Sequence, residues 1–137
     1  MKWTNRIFGE FEFEEKHILH FPGGIIGFEE NKKFIIVNDE SSEPFRWLVS
    51  LEDPELSFPL IEPSMVHAQF NEQYVQGKDV TLFVVASINE HIETSTVNLK
   101  SPLLINNEDR TGKQIILDDE ALDVRTPLLL LTDSLAG

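Results

Sequence analysis

Short apolar runs recur along this chain about every 8 to 12 residues with turn formers between them, the spacing of an all-β barrel or sandwich. Ile7, Phe11 and Phe13 alternate with Arg6, Phe8, Glu10, Glu12 and Glu14, which predicts one strand with a single buried face. His17 to Phe21 reads as a second short strand. Phe34-Ile35-Ile36-Val37 is a continuous apolar strand, ended by the carboxylate-bearing loop Asn38 to Pro44. Phe45 to Ser50 and Leu56 to Ile61 form a further pair, with Pro59 pointing to an edge or a bulge because it cannot donate to a central ladder. Met65 to Phe70 fits either a strand or the start of a short helix. Val80 to Ala86, rich in β-branched residues, belongs at the centre of the sheet. Thr94 to Leu99, Leu103 to Asn106 and Gln114 to Leu117 continue the pattern, with Asn107 to Gly112 as a hairpin loop. The expected fold is all-β, a coiled antiparallel sheet forming a small closed or nearly closed barrel with at most one or two short helices.

Between the second and third of these strands lies Phe21-Pro22-Gly23-Gly24-Ile25-Ile26-Gly27-Phe28-Glu29, which is specified by backbone shape. Pro22 fixes its own φ and pushes Phe21 toward extended geometry, while the glycines permit positive φ. The expectation is a buried reversal anchored by Phe21 and Phe28. The glycine spacing matches neither a dinucleotide fold nor a P-loop.

A chain of 137 residues fills one domain, here residues 1 to 137 with residues 133 to 137 as a frayed tail. With no cysteine it has no disulfide, thiol catalyst or thiolate metal site. No apolar run is long enough to cross a bilayer as a helix and no export signal opens the sequence, so a soluble cytoplasmic protein is expected. The formal net charge is −13, from 24 acidic and 11 basic residues, a field that repels nucleic acid and anionic lipid and attracts a basic protein.

Candidate chemistry is sparse. Asp118-Asp119-Glu120 is the one carboxylate cluster, and three successive acids at the end of an element read as a solvated turn; an acid catalyst would need one of them desolvated. His17 and His20, three apart on an expected strand, face opposite ways, and His67 and His91 stand alone. Nucleophile-elbow, zincin, EF-hand and nucleotide-loop spacings are missing, so no cofactor, metal or catalytic residue is assigned.

Four blocks in order carry a resemblance. Phe21-Pro22-x-Gly24-Ile25-x-Gly27-Phe28-Glu29, Phe45-x-Trp47-Leu48-x-Ser50 with Asp53-Pro54 and Phe58, Asn98-Leu99-Lys100-x-Pro102 with Ile105-Asn106, and Gln114 to Leu117 together resemble the FliW family of bacterial flagellar assembly factors. Val49 departs from that pattern, where a polar residue is expected, and residues 63 to 77 look short. The resemblance implies a cytoplasmic binding protein without chemistry of its own. It would partition between newly made flagellin and CsrA, the RNA-binding repressor of flagellin translation. Phe21, Pro22, Gly24, Ile25, Gly27, Phe28, Glu29, Trp47, Ser50, Asn98, Leu99, Pro102 and Asn106 are then the structural or partner-binding positions. Glu12, Glu14, Glu29, Glu30, Asp39 and Glu43 are expected to steer association with CsrA beside its RNA site. Two rival classes stay open: a small-molecule-binding barrel, and a hydrolase using Asp118 or Asp119.

Overall fold

The computed structural model describes residues 1–68, 70, 74, 77, 79–91 and 94–128. Eleven strands are present among them: β1 (Lys2–Asn5), β2 (Gly9–Glu12), β3 (Leu19–His20), β4 (Lys33–Asn38), β5 (Arg46–Ser50), β6 (Ser57–Ile61), β7 (Val80–Ser87), β8 (Thr96–Val97), β9 (Leu103–Asn106), β10 (Thr111–Gln114) and β11 (Thr126–Pro127). Three single 3-10 turns, Glu15–His17, Glu40–Ser42 and Pro63–Met65, punctuate them, and Phe70 and Tyr74 are helical. The tail from residue 133 lies outside the described residues.

Strands β7-β6-β5-β4-β3-β10-β9 pair in that order, and β9 pairs back onto β7, which closes a seven-stranded barrel. Every junction is antiparallel except β3 with β10, which run parallel through Thr111 opposite His20. The expected barrel is therefore present, with one parallel seam in it. Strand β7 is its hub: the first half pairs with β9, and the second half with β6 and β8.

Alternation along β7 sorts the apolar residues into two cores. Phe83 joins Leu19, Phe21, Phe34, Leu48, Leu60, Leu103 and Ile105, drawn from strands all round the ring, so this cluster fills the lumen. Leu82, Val84 and Ala86 face outward and pack beneath Phe70, Val97, Leu99, Leu122 and Leu128. A barrel this small is filled by its own side chains.

Several sequence expectations are corrected. Residues 6 to 14 are not one strand: β1 and β2 form a hairpin around a turn at residues 6 to 8. Asn5, almost fully buried, accepts the amides of Ile7 and Phe8 on its Oδ1 and donates to the Pro54 carbonyl, which bends the chain there and ties the hairpin to the barrel. Ile7 consequently lies exposed on the turn. His17 closes a 3-10 turn in place of starting a strand, and His17 and His20 are both exposed. The last long strand is Thr111–Gln114, not Gln114 to Leu117; beyond it, Ile115 and Leu117 donate to the carbonyls of Pro102 and Lys100 while Ile116 is exposed. Strand β8 keeps only Thr96–Val97 of the expected Thr94 to Leu99.

Pro59 stands opposite Trp47 of β5, and the β7 ladder begins only at Leu60, so the missing N–H falls where β6 has one partner. At the sheet's free edge β11 carries Pro127. The Leu128 amide donates inward to Ser95, so by the two-residue alternation Pro127 turns its donorless nitrogen outward, which hinders edge pairing.

Candidate protein-binding surface

The glycine-rich segment forms a tight plug at one mouth of the barrel. The Gly24 amide donates to Phe21 (2.8 Å), Phe28 to Ile25 (2.7 Å) and Asn31 to Phe28 (3.1 Å), three successive turns between Phe21 and Asn31. Gly24 and Gly27 have φ of +67° and +89°. A Cβ on Gly24 would lie 2.6 Å from the Glu29 Cα, whereas one on Gly27 meets open space. Lys32 Nζ donates to the Pro22 carbonyl, and Gln114 Oε1 accepts the Ile26 amide at 2.9 Å, tying the plug to β10. The Glu29 carboxylate accepts the Gly27 amide, and this bond, with that of its own amide and the charge of Lys32, holds its pKa below the ordinary glutamate value.

Only one of the two expected anchors is internal. Phe21 is fully buried, edge-on to Phe34 at 5.2 Å, and Ile25 follows it into the lumen. Phe28 is 42% exposed, its ring edge-on to Phe58 at 5.2 Å, and Ile26 is 57% exposed. The segment therefore holds the barrel closed with one side and presents apolar surface with the other.

That surface borders a hollow of about 280 Å³ lined by Ile25, Ile26, Phe58, Val85, Ser87, Thr96, Asn98, Gln114, Val124 and Arg125. Phe58, Val85 and Ser87 lie in phase with lumen residues Leu60 and Phe83, which places the hollow at the barrel's end. It brings together Ile25 from the first sequence block, Phe58 from the second, Asn98 from the third and Gln114 from the fourth. Val85, Val124 and Arg125 were not singled out from sequence; Val124 is 50% exposed, and that exposure appears only once the barrel closes.

Other block residues serve the scaffold. Trp47 is half-buried and meets Phe8 edge-on at 5.7 Å, clamping the N-terminal hairpin to β5. Ser50 is fully buried: its hydroxyl donates to Asn31 Oδ1 (2.6 Å) and accepts the amides of Glu52 and Asp53 (3.0 Å each), while Glu52 accepts the amides of Lys32 and Lys33. Ser50→Ala strips three polar groups of their partner at once and is expected to cost about 2 to 3 kcal/mol, measured by denaturant unfolding. A loss under about 0.5 kcal/mol would show that water replaces the hydroxyl freely. Asn98 Oδ1 accepts the Ser101 amide and Asn106 Oδ1 those of Glu108 and Asp109, so both cap turns. Leu99 and Pro102 are buried.

The acidic positions are not gathered on one face. Glu12 and Glu14 sit on and beside β2, ion-paired with Lys2 and Lys16. Glu29 and Glu30 precede β4, and Asp39 and Glu43 follow it, about 20 Å away along a six-residue strand. Asp39 accepts from the Ser41 and Ser42 hydroxyls and the Ser41 amide, which hold its pKa down.

In the carboxylate cluster, Asp119 accepts the Tyr74 hydroxyl at 2.5 Å and the Ala121 amide at 2.9 Å. Tyr74 and then Ala121 lower the Asp119 pKa, and the carboxylate raises that of Tyr74. A catalytic acid needs the opposite shift. Because the folded aspartate is the stronger acid, its stabilising contribution is complete above the ordinary aspartate pKa and is lost as pH falls through the lowered value. Tyr74, raised on folding, contributes up to its ordinary pKa and loses that contribution as pH climbs through the higher one. Asp119→Asn is expected to flatten both the acid and the alkaline limbs of a melting-temperature profile; a profile unchanged at both ends would mean that the pair is not formed in solution.

Among the described residues no group of three or more His, Cys, Asp or Glu is placed to hold a metal ion, and no helix is long and apolar enough to cross a membrane. A filled lumen, scaffold-bound polar residues and a largely apolar hollow at one mouth define a closed β-barrel protein. The sequence model of the FliW protein family matches residues 2–128. The flagellar assembly factor FliW of Caldanaerobacter subterraneus subsp. tengcongensis is 34% identical over 94% of this chain and 93% of its own length. That of Thermosipho africanus is 37% identical over 93% and 95%. A crystal structure of the flagellar assembly factor FliW superposes with a TM-score of 0.82 at 33% identity, covering 94% of this chain and 97% of that one. The chain belongs to the FliW family, whose relatives are named flagellar assembly factors.

Proposed function

We propose that this chain is a protein-binding regulator of flagellum assembly in the cytoplasm. It binds CsrA, relieving repression of flagellin synthesis, and it binds flagellin itself. The observation that carries this reading is the convergence of Ile25, Phe58, Asn98 and Gln114, from four separate blocks, on one hollow that exposed Ile26 and Val124 also line. Exposed apolar side chains around a preformed concavity fit a polypeptide partner. A lumen already filled by Phe21, Phe34, Leu48 and Leu60 leaves little room for a small-molecule ligand. The net charge of −13 suits a basic RNA-binding protein and disfavours RNA, with the dispersed carboxylates speeding encounter and no single one indispensable.

Affinity capture with the tagged full chain from a lysate of a motile flagellated bacterium is expected to recover flagellin and CsrA. Adding the purified chain to a CsrA–RNA complex is expected to release RNA while the chain itself stays unbound to RNA. Recovery of neither protein, or direct RNA binding, would overturn the proposal.

A further inference from the structure

The chain has 24 acidic residues, yet among the described strands only β2 carries a carboxylate, at Glu10 and Glu12. β2 is also an edge, paired with β1 alone. Met1 and Phe13 exchange hydrogen bonds of 2.9 Å in both directions, and counting in twos from them makes Trp3 with Phe11 and Asn5 with Gly9 the bonded pairs of the hairpin. The N–H and C=O of Glu10 and Glu12 therefore point away from β1, and among the described residues no other strand meets them. The two faces of the hairpin differ. Glu10 and Glu12 stand outward, each 3.8 Å from Lys2, with side chains 63% and 76% exposed. Phe11 and Phe13, 6.0 Å apart, face the barrel. With Phe8 and with Ile35, Ile36 and Val37 of β4 they line a groove of about 330 Å³, whose polar members are Glu12, His17 and Arg110. No β1 residue lines it, so it lies on the side of the free edge.

We infer that the β2 edge docks an extended segment of a partner protein in which basic and apolar residues alternate. Such a segment adds a third strand to the hairpin: backbone bonds to Glu10 and Glu12 attach it, and its alternate side chains set which sequence is taken. Side chains on its outward face lie beside Glu10 and Glu12, where charge complementarity selects lysine or arginine. Those on its inward face enter the groove, where three phenylalanines favour apolar groups and Arg110 repels a cation. A second copy of this chain fits badly, because β2 against β2 sets glutamate beside glutamate. Carboxylates on an edge also guard against unwanted pairing, but a guard needs no groove beneath it, and at the barrel's own edge that task falls to Pro127 of β11. The inference specifies a partner chemistry and neither of the two proteins proposed above, so its failure leaves that proposal standing.

The test titrates the full chain with a capped heptapeptide that alternates lysine and valine, read by calorimetry and by residue-resolved amide exchange. The peptide is expected to bind and to slow exchange of the Glu10 and Glu12 amides at least about tenfold, while that of Phe11, already paired, changes less than about twofold. An all-lysine heptapeptide, more basic but with nothing to fill the groove, should bind at least about tenfold more weakly. Only every second residue of an added strand turns its N–H toward β2, so N-methylation of one alternating set of amides should abolish binding and of the other set should leave it. Glu10→Lys combined with Glu12→Lys should weaken binding at least about tenfold, and since both side chains are exposed its thermal melt should match the parent's. Absence of binding, equal affinity for the all-lysine peptide, unprotected Glu10 and Glu12 amides, or tolerance of methylation on both sets would each overturn the inference. A dimer of the parent chain that protects the same two amides would assign the edge to a second copy and equally overturn it.

Discussion

Gly112→Ala is expected to destabilise the protein by about 3 kcal/mol, the upper end of the range for overpacking, and to lower the melting temperature by on the order of 10 °C. Gly112 is buried in β10 opposite Ile105, and a Cβ built on it would stand 2.3 Å from the Phe21 ring. That ring cannot retreat, being fully buried and braced edge-on by Phe34. Shrinking the obstacle should relieve the strain, so Phe21→Leu combined with Gly112→Ala is expected to cost less than the sum of the two singles. If the alanine variant melts within 1 °C of the parent, β10 can shift outward and the packing is looser than the geometry implies.

Gly24 and Gly27 offer a comparison within one turn. Both have positive φ, so alanine at either meets backbone strain of roughly 1 to 2 kcal/mol. Only at Gly24 does the new Cβ also collide with the Glu29 backbone. Gly24→Ala is expected to lose about 3 kcal/mol, and Gly27→Ala about 1 kcal/mol, in denaturant unfolding. Equal losses would mean that conformational strain dominates and that the residue 29 backbone moves aside. Because the Gly24 variant disturbs the plug carrying Ile26 and Phe28, it should also weaken partner binding, an effect read only after correcting for the unfolded fraction.

Where structure followed local pattern, the sequence could be read. Strands β5, β6, β7 and β9 are runs of apolar or β-branched residues bounded by turn formers, and their limits emerge almost as expected. The N-terminal hairpin misleads because Phe11-Glu12-Phe13-Glu14 prolongs an alternation through a turn that is fixed by the Asn5 side chain and by Gly9 at φ +69°. Phe28 misleads because a large aromatic beside glycines resembles an anchor; its neighbour Phe58 comes from a different strand pair, and their contact leaves it at the surface. Gly112 looked like loop, and its role as the space for Phe21 exists only once β10 lies beside β3. The block residues were legible as a set, but not their division into turn caps such as Ser50 and Asn106 and groove residues such as Ile25 and Gln114. That division depends on ring closure, which no local pattern encodes.

The parallel seam between β3 and β10 sets a schedule for synthesis. β3 is among the first elements to leave the ribosome, yet its second neighbour, around Thr111, is among the last. Until then, Phe21, Phe34, Leu48 and Leu60 belong to an unfinished cylinder whose greasy inside faces water. A nascent chain arrested before residue 111 would be a substrate for holding chaperones, and protease resistance of its early strands should arrive abruptly, with the translation of β10, rather than strand by strand.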